Sequence, residues 1–216
     1  MSTKSRALFR SRKGQRTPQN LCPELCNTLI PPTAPGKIIF KDLPGQSSLS
    51  LRPVSLATDL PLIYGWITQG YSTVAAAPEP PLQQLNTAYT SIIASDFAQP
   101  FMGLVNDVPV CQVDIYKAKL DVISLYYESV AGDYGLHLLN APQITREDEA
   151  ALLSACVNYF FSFPEIGRIV TDVESSDKWA NSLMKKLGFQ WNKKIRKPYK
   201  VADLYICTRN SFTGMP

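Results

Sequence analysis

The chain has 216 residues, 45% of them hydrophobic and 19% charged, and a formal net charge of +4. That length and composition describe one sizeable domain plus an extension, able to bury a core without disulfides or metals. Lys4, Arg6, Arg10, Arg12, Lys13 and Arg16 supply six positive charges before the first acid and leave the remainder near −2. This balance excludes a nucleic-acid-binding domain, and no apolar run reaches the roughly 18 residues of a membrane span.

The acid-free basic arm reads either as a targeting peptide or as a solvated tail. Residues 1–45 form a basic, Pro-rich extension, in which Pro31, Pro32 and Pro35 favour extended chain. The five cysteines, Cys22, Cys26, Cys111, Cys156 and Cys207, are odd in number and mostly lie in apolar stretches, as reduced thiols of a cytoplasmic protein do. Cys22 and Cys26 have the spacing of half a metal site, but no second pair follows and His137 stands alone, so no metal is expected.

The domain, residues 46–216, opens with "SLSLRPV", where Leu49 and Leu51 alternate with polar residues as in a strand. Thr58-Asp59 signals a helix start, with Pro61 tolerated in its first turn and Leu60, Ile63, Tyr64 and Ile67 at helical spacing. Residues 81–95 predict a second helix. "FMGLVNDVPVCQVDIYK" predicts two strands joined at Asn106-Asp107, followed by an irregular aromatic stretch with Tyr126 and Tyr127. "YGLHLLN" is apolar on both faces, as a central strand is.

Thr145 is a good N-cap, and Asp148 sits at the third helical position, where a carboxylate can bond back. That helix runs to about Phe161, with Ala151, Leu152, Cys156 and Tyr159 on one stripe. "GRIVTDV" predicts a strand, "SDKWANSLMKKLGF" a helix stopped at Gly188, and "QWNKKIRKPYKVADLYICTR" a closing hairpin. Hairpins together with helical crossovers make a mixed α/β sheet.

Several stretches carry a family resemblance: Leu51-Arg52-Pro53, Asp59, Trp66, Pro100 to Gly103, Pro109 to Tyr116, "GDYGLHLL" (132–139), Arg168 to Asp172 and Leu187 to Phe189. Over residues 48–208 they resemble the GCN5-related N-acetyltransferase (GNAT) superfamily. Within it they are similar to the siderophore-biosynthesis acyltransferases, the aerobactin-type N6-hydroxylysine acetyltransferases and the mycobactin lysine acyltransferase. The resemblance implies a GNAT fold, a mixed and mostly antiparallel central sheet flanked by helices. It also implies transfer of an acyl group from acetyl-CoA or another acyl-CoA to an amine or hydroxylamine.

On the same ground, His137 and Asp172 match the family's pair facing the acceptor. A hydroxylated amine reaches neutral pH largely uncharged and needs only a weak base within hydrogen-bond reach. Backbone around Leu138, Leu139 and Asn140 would hold the thioester and pantetheine arm, with Arg146 and Asp177 at the positions of further cofactor contacts. Trp66, Asp114, Tyr116 and Tyr134 would bind the acceptor, Asp114 standing where a glutamate is usual. The aromatic residues Trp66, Tyr71, Tyr126, Tyr127, Tyr134 and Trp179 read equally as core.

The chain departs from the family at the turn "NAPQITREDEA". There the family's glycines let backbone amides close on a pyrophosphate, whereas this chain has Glu147, Asp148 and Glu149, and Val173 replaces a proline. Those acids suit the helix dipole but repel a bound anion. Three readings follow: weak acyl-CoA binding, a non-catalytic GNAT-fold module that has lost CoA, or a donor without pyrophosphate such as an acyl carrier protein. Lys178, Lys185 and Lys186 read as phosphate contacts or as a solvated helix face. "NKKIRKPYK" reads as a docking patch or as charge that discourages edge pairing.

Overall fold

The computed structural model describes residues 38–42, 47–72, 81–198 and 200–214. In chain order the elements are β1 (Phe40–Asp42), β2 (Leu49–Pro53), α1 (Leu56–Ser72), α2 (Leu82–Ile93), β3 (Ala98–Val105) and β4 (Val108–Lys117). There follow β5 (Asp133–Asn140), α3 (Arg146–Phe161), β6 (Arg168–Glu174), α4 (Lys178–Lys186), β7 (Gln190–Lys197) and β8 (Lys200–Thr208). The basic arm through Arg16, Cys22 and Cys26, the prolines Pro31, Pro32 and Pro35, and the side chain of Tyr71 lie outside the described residues.

Among the described residues eight strands join one sheet in the order β1-β2-β3-β4-β5-β6-β8-β7. Every neighbouring pair is antiparallel except β5 and β6, which α3 connects as a crossover. This is the mixed, mostly antiparallel sheet expected from the sequence. It begins earlier than the alternation at Leu49 and Leu51 indicates, because Phe40–Asp42 pairs with β2. The β3–β4 turn places Asn106 at φ 50° and Asp107 at φ 64°, the left-handed pair of a tight primed turn.

Helix α1 begins at Leu56, ahead of the expected Thr58-Asp59 start. The cause is the Asp59 carboxylate, which accepts the Ser55 N–H at 2.7 Å and two guanidinium hydrogen bonds from Arg52 at 2.6 and 2.7 Å. Burial opposes its ionisation, but these donors hold its carboxyl below the usual range. At α3 the expected cap forms: Thr145 Oγ1 accepts the Asp148 N–H at 3.0 Å. Gly188 ends α4 at φ 87°, with the Phe189 N–H closing on the Met184 carbonyl in a Schellman arrangement.

Alternation along the strands divides the core. Leu51, Val113, Ile115 and Leu136 pack under α3 with Leu152, Cys156, Val157 and Phe160. On the opposite face Met102, Leu104 and Leu139 pack with Ile63, Trp66, Ile67 and Leu85 from α1 and α2. Each fully buried large aliphatic side chain contributes about 1.5–3 kcal/mol. The irregular aromatic stretch folds as two 3-10 turns, Ala118–Leu120 and Val122–Leu125. It is fixed by Asp133, which accepts from the Tyr127 hydroxyl and the Val130 N–H, each at 3.0 Å. Arg168 clamps the same carboxylate through two hydrogen bonds of 2.6 and 2.7 Å, fixing the start of the parallel pair. Among the described residues no helix is long and apolar enough to cross a membrane.

Candidate active site

The parallel ladder between β5 and β6 is short: it pairs Asp133 with Arg168, Tyr134 with Ile169 and Gly135 with Val170, then stops. Just past it the Thr171 hydroxyl donates to the Leu136 carbonyl at 3.0 Å. Beyond that bond β6 follows β8 and β5 follows β4, so the two strands splay. The gap is a cleft with about 100 Å³ of room. Gln112, Asp114, His137, Asp172 and Lys200 line it from one face of the sheet, and Leu138, Asn140, Glu149, Leu183 and Met184 from the α3–α4 face. The splay therefore lies beside Leu138 to Asn140, and side chains of both sheet faces line it.

His137 and Asp172 each lie two residues past the last pair, Gly135 with Val170, so both project onto the same face. The His137 Nε2 lies 3.1 Å from the Tyr116 hydroxyl, and the two rings sit 4.8 Å apart. This contact needs Gly135, because a Cβ there would lie 2.0 Å from Tyr116 Cζ. Burial holds the imidazole below its ordinary pKa, with the Asp172 charge pulling the other way. Burial also pushes the Tyr116 phenol well up, so it stays protonated.

Asp172 does not hydrogen-bond the imidazole. Lys197 donates to one of its oxygens at 2.5 Å, and the Lys200 ammonium lies 2.7 Å from the other. The carboxylate side chain is 1% exposed and the lysines 8% and 15%. Burial disfavours its charge, but Lys200 and Lys197 overcome this and hold its pKa at about 2. Asp172 thus acts on His137 through charge and not through contact.

Asp114 pairs with His137 across the β4–β5 ladder, so it shares the face. It is 5% exposed, and burial pushes its pKa up to about 7 against a hydrogen bond from the Gln112 amide. Gln112 is in turn held by the Tyr89 hydroxyl at 3.1 Å, which ties α2 to the site. Tyr89 and Gln112 are not marked as site residues by the sequence, and Lys197 and Lys200 belong to the run "NKKIRKPYK", read as surface charge, whereas both turn inward onto Asp172. Gln112, Asp114 and Tyr116 form an i, i+2, i+4 polar stripe in an otherwise apolar strand, a signal that marks Gln112. The pairing of Lys197 with Lys200 across the last hairpin has no comparable signal.

On the α3–α4 face, Glu149 accepts from the Asn140 amide at 2.6 Å and from the Trp179 indole at 2.8 Å. The acids of the turn therefore do not act together. Glu149 is buried, Asp148 accepts the Thr145 hydroxyl at 2.8 Å, and only Glu147 is exposed. Arg146 lies over the Trp179 ring at 5.1 Å, with Lys186 at 5.9 Å. Asp177 caps α4, accepting the Ala180 N–H at 3.0 Å, and Trp66 is packed in the α1–α2 core. Tyr134 lies on the sheet face opposite His137, within the α3 core. The structure thus gathers His137, Asp172, Asp114, Leu138, Leu139 and Asn140 at the cleft, with Tyr116 buried against His137, but not Trp66, Tyr134 or Asp177. Arg146, the first residue of α3, rests on Trp179 and is not among the residues lining the cleft.

Residues 55–197 match the family model described as an acetyltransferase (GNAT) domain. An N-hydroxyputrescine acetyltransferase of Acinetobacter baumannii is 22% identical over 168 residues, which cover 77% of this chain and 81% of that protein. An aminoglycoside N(6')-acetyltransferase type 1 of Klebsiella pneumoniae is 26% identical over 174 residues, covering 77% and 86%. Among solved structures, an uncharacterised protein of Bacillus halodurans superposes with a TM-score of 0.71 at 26% identity, covering 80% of this chain and 91% of that one. An aminoglycoside acetyltransferase in complex with coenzyme A gives 0.64 at 24% identity, covering 76% and 96%, a likeness of fold. A family model that spans most of the chain, on a sheet splayed beside its central strand, places this protein in the GNAT acetyltransferase family.

Proposed function

We propose that this protein transfers an acetyl or other acyl group from a coenzyme A thioester to a small amine or hydroxylamine, the acceptor being an N-hydroxylated diamine or lysine on the way to a hydroxamate siderophore. The observation that carries the reading is the splayed β5–β6 cleft with His137 at its edge. A cleft lined from both sheet faces gives donor and acceptor a common place to meet at the splay. The similarity to an N-hydroxyputrescine acetyltransferase supports the hydroxylamine class.

An acyl thioester supplies an electrophilic carbonyl to the attacking nitrogen. The Leu138–Asn140 backbone, without a β6 partner, fits its amide-bearing arm; the turn before α3 lacks the glycines that would admit a diphosphate. His137 accepts the acceptor's proton. The Tyr116 hydroxyl and His137 Nε2 share one hydrogen bond, and in the tautomer whose Nε2–H donates, Nδ1 is the free basic atom. An imidazole kept neutral by burial is a weak base, matched to an acceptor that arrives uncharged. Asp114 receives the acceptor's polar end, and Asp172, fixed by its two lysines, keeps the imidazole from becoming weaker still.

The test measures thiol release from acetyl-CoA and succinyl-CoA with N-hydroxyputrescine, N-hydroxycadaverine and N6-hydroxylysine as acceptors. His137→Ala is expected to lower kcat/KM by about 100-fold, the contribution of one general base. No thiol release with any pair, together with no binding of either thioester, refutes the proposal and leaves a non-catalytic GNAT-fold module.

A further inference from the structure

We infer that this chain grips its acyl donor by the pantetheine arm, with the Asn140 side-chain oxygen as a dedicated acceptor, and draws little affinity from the diphosphate. The inference rests on the acyl-transfer reading above and specifies how the donor is recognised.

The first ground is an unpaired atom. Asn140 ends β5 at the cleft, and its amide nitrogen donates to Glu149 at 2.6 Å. Its Oδ1 is buried with no hydrogen-bond partner among the described residues. The amide cannot be turned over, because an oxygen would then face the Glu149 carboxylate at that distance. Glu149 is itself held by the Trp179 indole, so three residues from β5, α3 and α4 fix one acceptor beside the cleft. Buried acceptors without partners are uncommon in folded proteins, and one at a ligand cleft marks a place for a donor. A pantetheine arm carries two secondary amides. Laid along the free edge of β5 it resembles a short added strand, whose N–H groups are the donors such an edge takes.

The second ground is the state of the α3 end. The Asp148 N–H is already taken by Thr145, and the Asp148 carboxylate accepts the Thr145 hydroxyl. Glu147 adds an exposed carboxylate in the first turn, and residues 141–146 contain no glycine. Side chains block the close backbone approach a diphosphate needs, and the carboxylates oppose its charge. Arg146 rests on Trp179. The helix end is organised to cap itself.

The experiment is isothermal titration of the full chain with acetyl-CoA and with S-acetylpantetheine, which lacks every phosphate. The expected dissociation constants lie within about tenfold of each other, and Asn140→Ala weakens both by about tenfold, the loss of one hydrogen bond. Acetyl-CoA binding more than about 100-fold tighter than S-acetylpantetheine, the equivalent of two charge-assisted bonds, overturns the inference and leaves the acyltransferase reading intact. Equal binding that Asn140→Ala leaves unchanged overturns the assignment of Asn140. Binding of neither compound overturns the inference together with the reading beneath it. Circular dichroism checks the fold of the variant, and Asn140→Ser replaces it if the alanine protein does not fold.

Discussion

Replacing Asp172 by Asn removes the negative charge that Lys197 and Lys200 share. Asparagine keeps the shape and an acceptor oxygen, so the change isolates charge. The lysine side chains are 8% and 15% exposed, so neither ammonium is fully hydrated. Leaving a buried charge without its partner costs about 3–5 kcal/mol. An independent route gives a similar size: a carboxyl held at about 2 when folded and 3.8 when unfolded contributes about 2.5 kcal/mol at neutral pH.

Because the folded value is the lower one, that stability is complete above the unfolded value and is lost as pH falls toward the folded one. About 1 kcal/mol of it is gone at pH 3. Urea unfolding of wild type and Asp172→Asn should therefore differ by about 2–4 kcal/mol at pH 7, and the gap should narrow between pH 5 and pH 3. A gap under about 0.5 kcal/mol at pH 7, the size of an exposed pair, would refute the reasoning, as would a gap that ignores pH. Removing the charge should also lower the His137 pKa, seen as a downward move of the acid limb of the kcat/KM profile.

Gly135→Ala drives a Cβ into the Tyr116 ring and should cost about 1–3 kcal/mol in unfolding free energy while shifting the Tyr116–His137 contact, read as lost kcat in the folded variant. Asp114→Asn should act in opposite directions on stability and on acceptor binding. The carboxyl sits near 7 when folded, above its unfolded value, so wild type loses stability as pH rises from about 4 to 7. The variant escapes this loss and should be about 2–4 kcal/mol more stable at pH 8, with KM for the acceptor raised about tenfold or more. Thr145→Ala removes the α3 cap and should cost about 1 kcal/mol by thermal or urea unfolding. Trp179→Phe deletes the indole N–H that Glu149 accepts and should cost about 1–3 kcal/mol, measured the same way.

The sequence by itself determined the order of elements. Alternation at Leu49 and Leu51, the Asn106-Asp107 turn, the Thr145 cap and the Gly188 stop are local effects, set by neighbours a few residues apart. His137 and Asp172 are marked by the family resemblance of "GDYGLHLL" and of Arg168 to Asp172; on apolarity alone an imidazole in such a strand reads as core. Tertiary structure decided the rest. The splay depends on where a parallel ladder stops, and the lysines that neutralise Asp172 come from a hairpin 25 and more residues along the chain. The direction of Glu149 likewise depends on Asn140 and Trp179, which the fold brings to it from two other elements. Charge in a list of residues has no direction, and whether a carboxylate repels a ligand, caps a helix or fixes an amide is settled only by what packs around it.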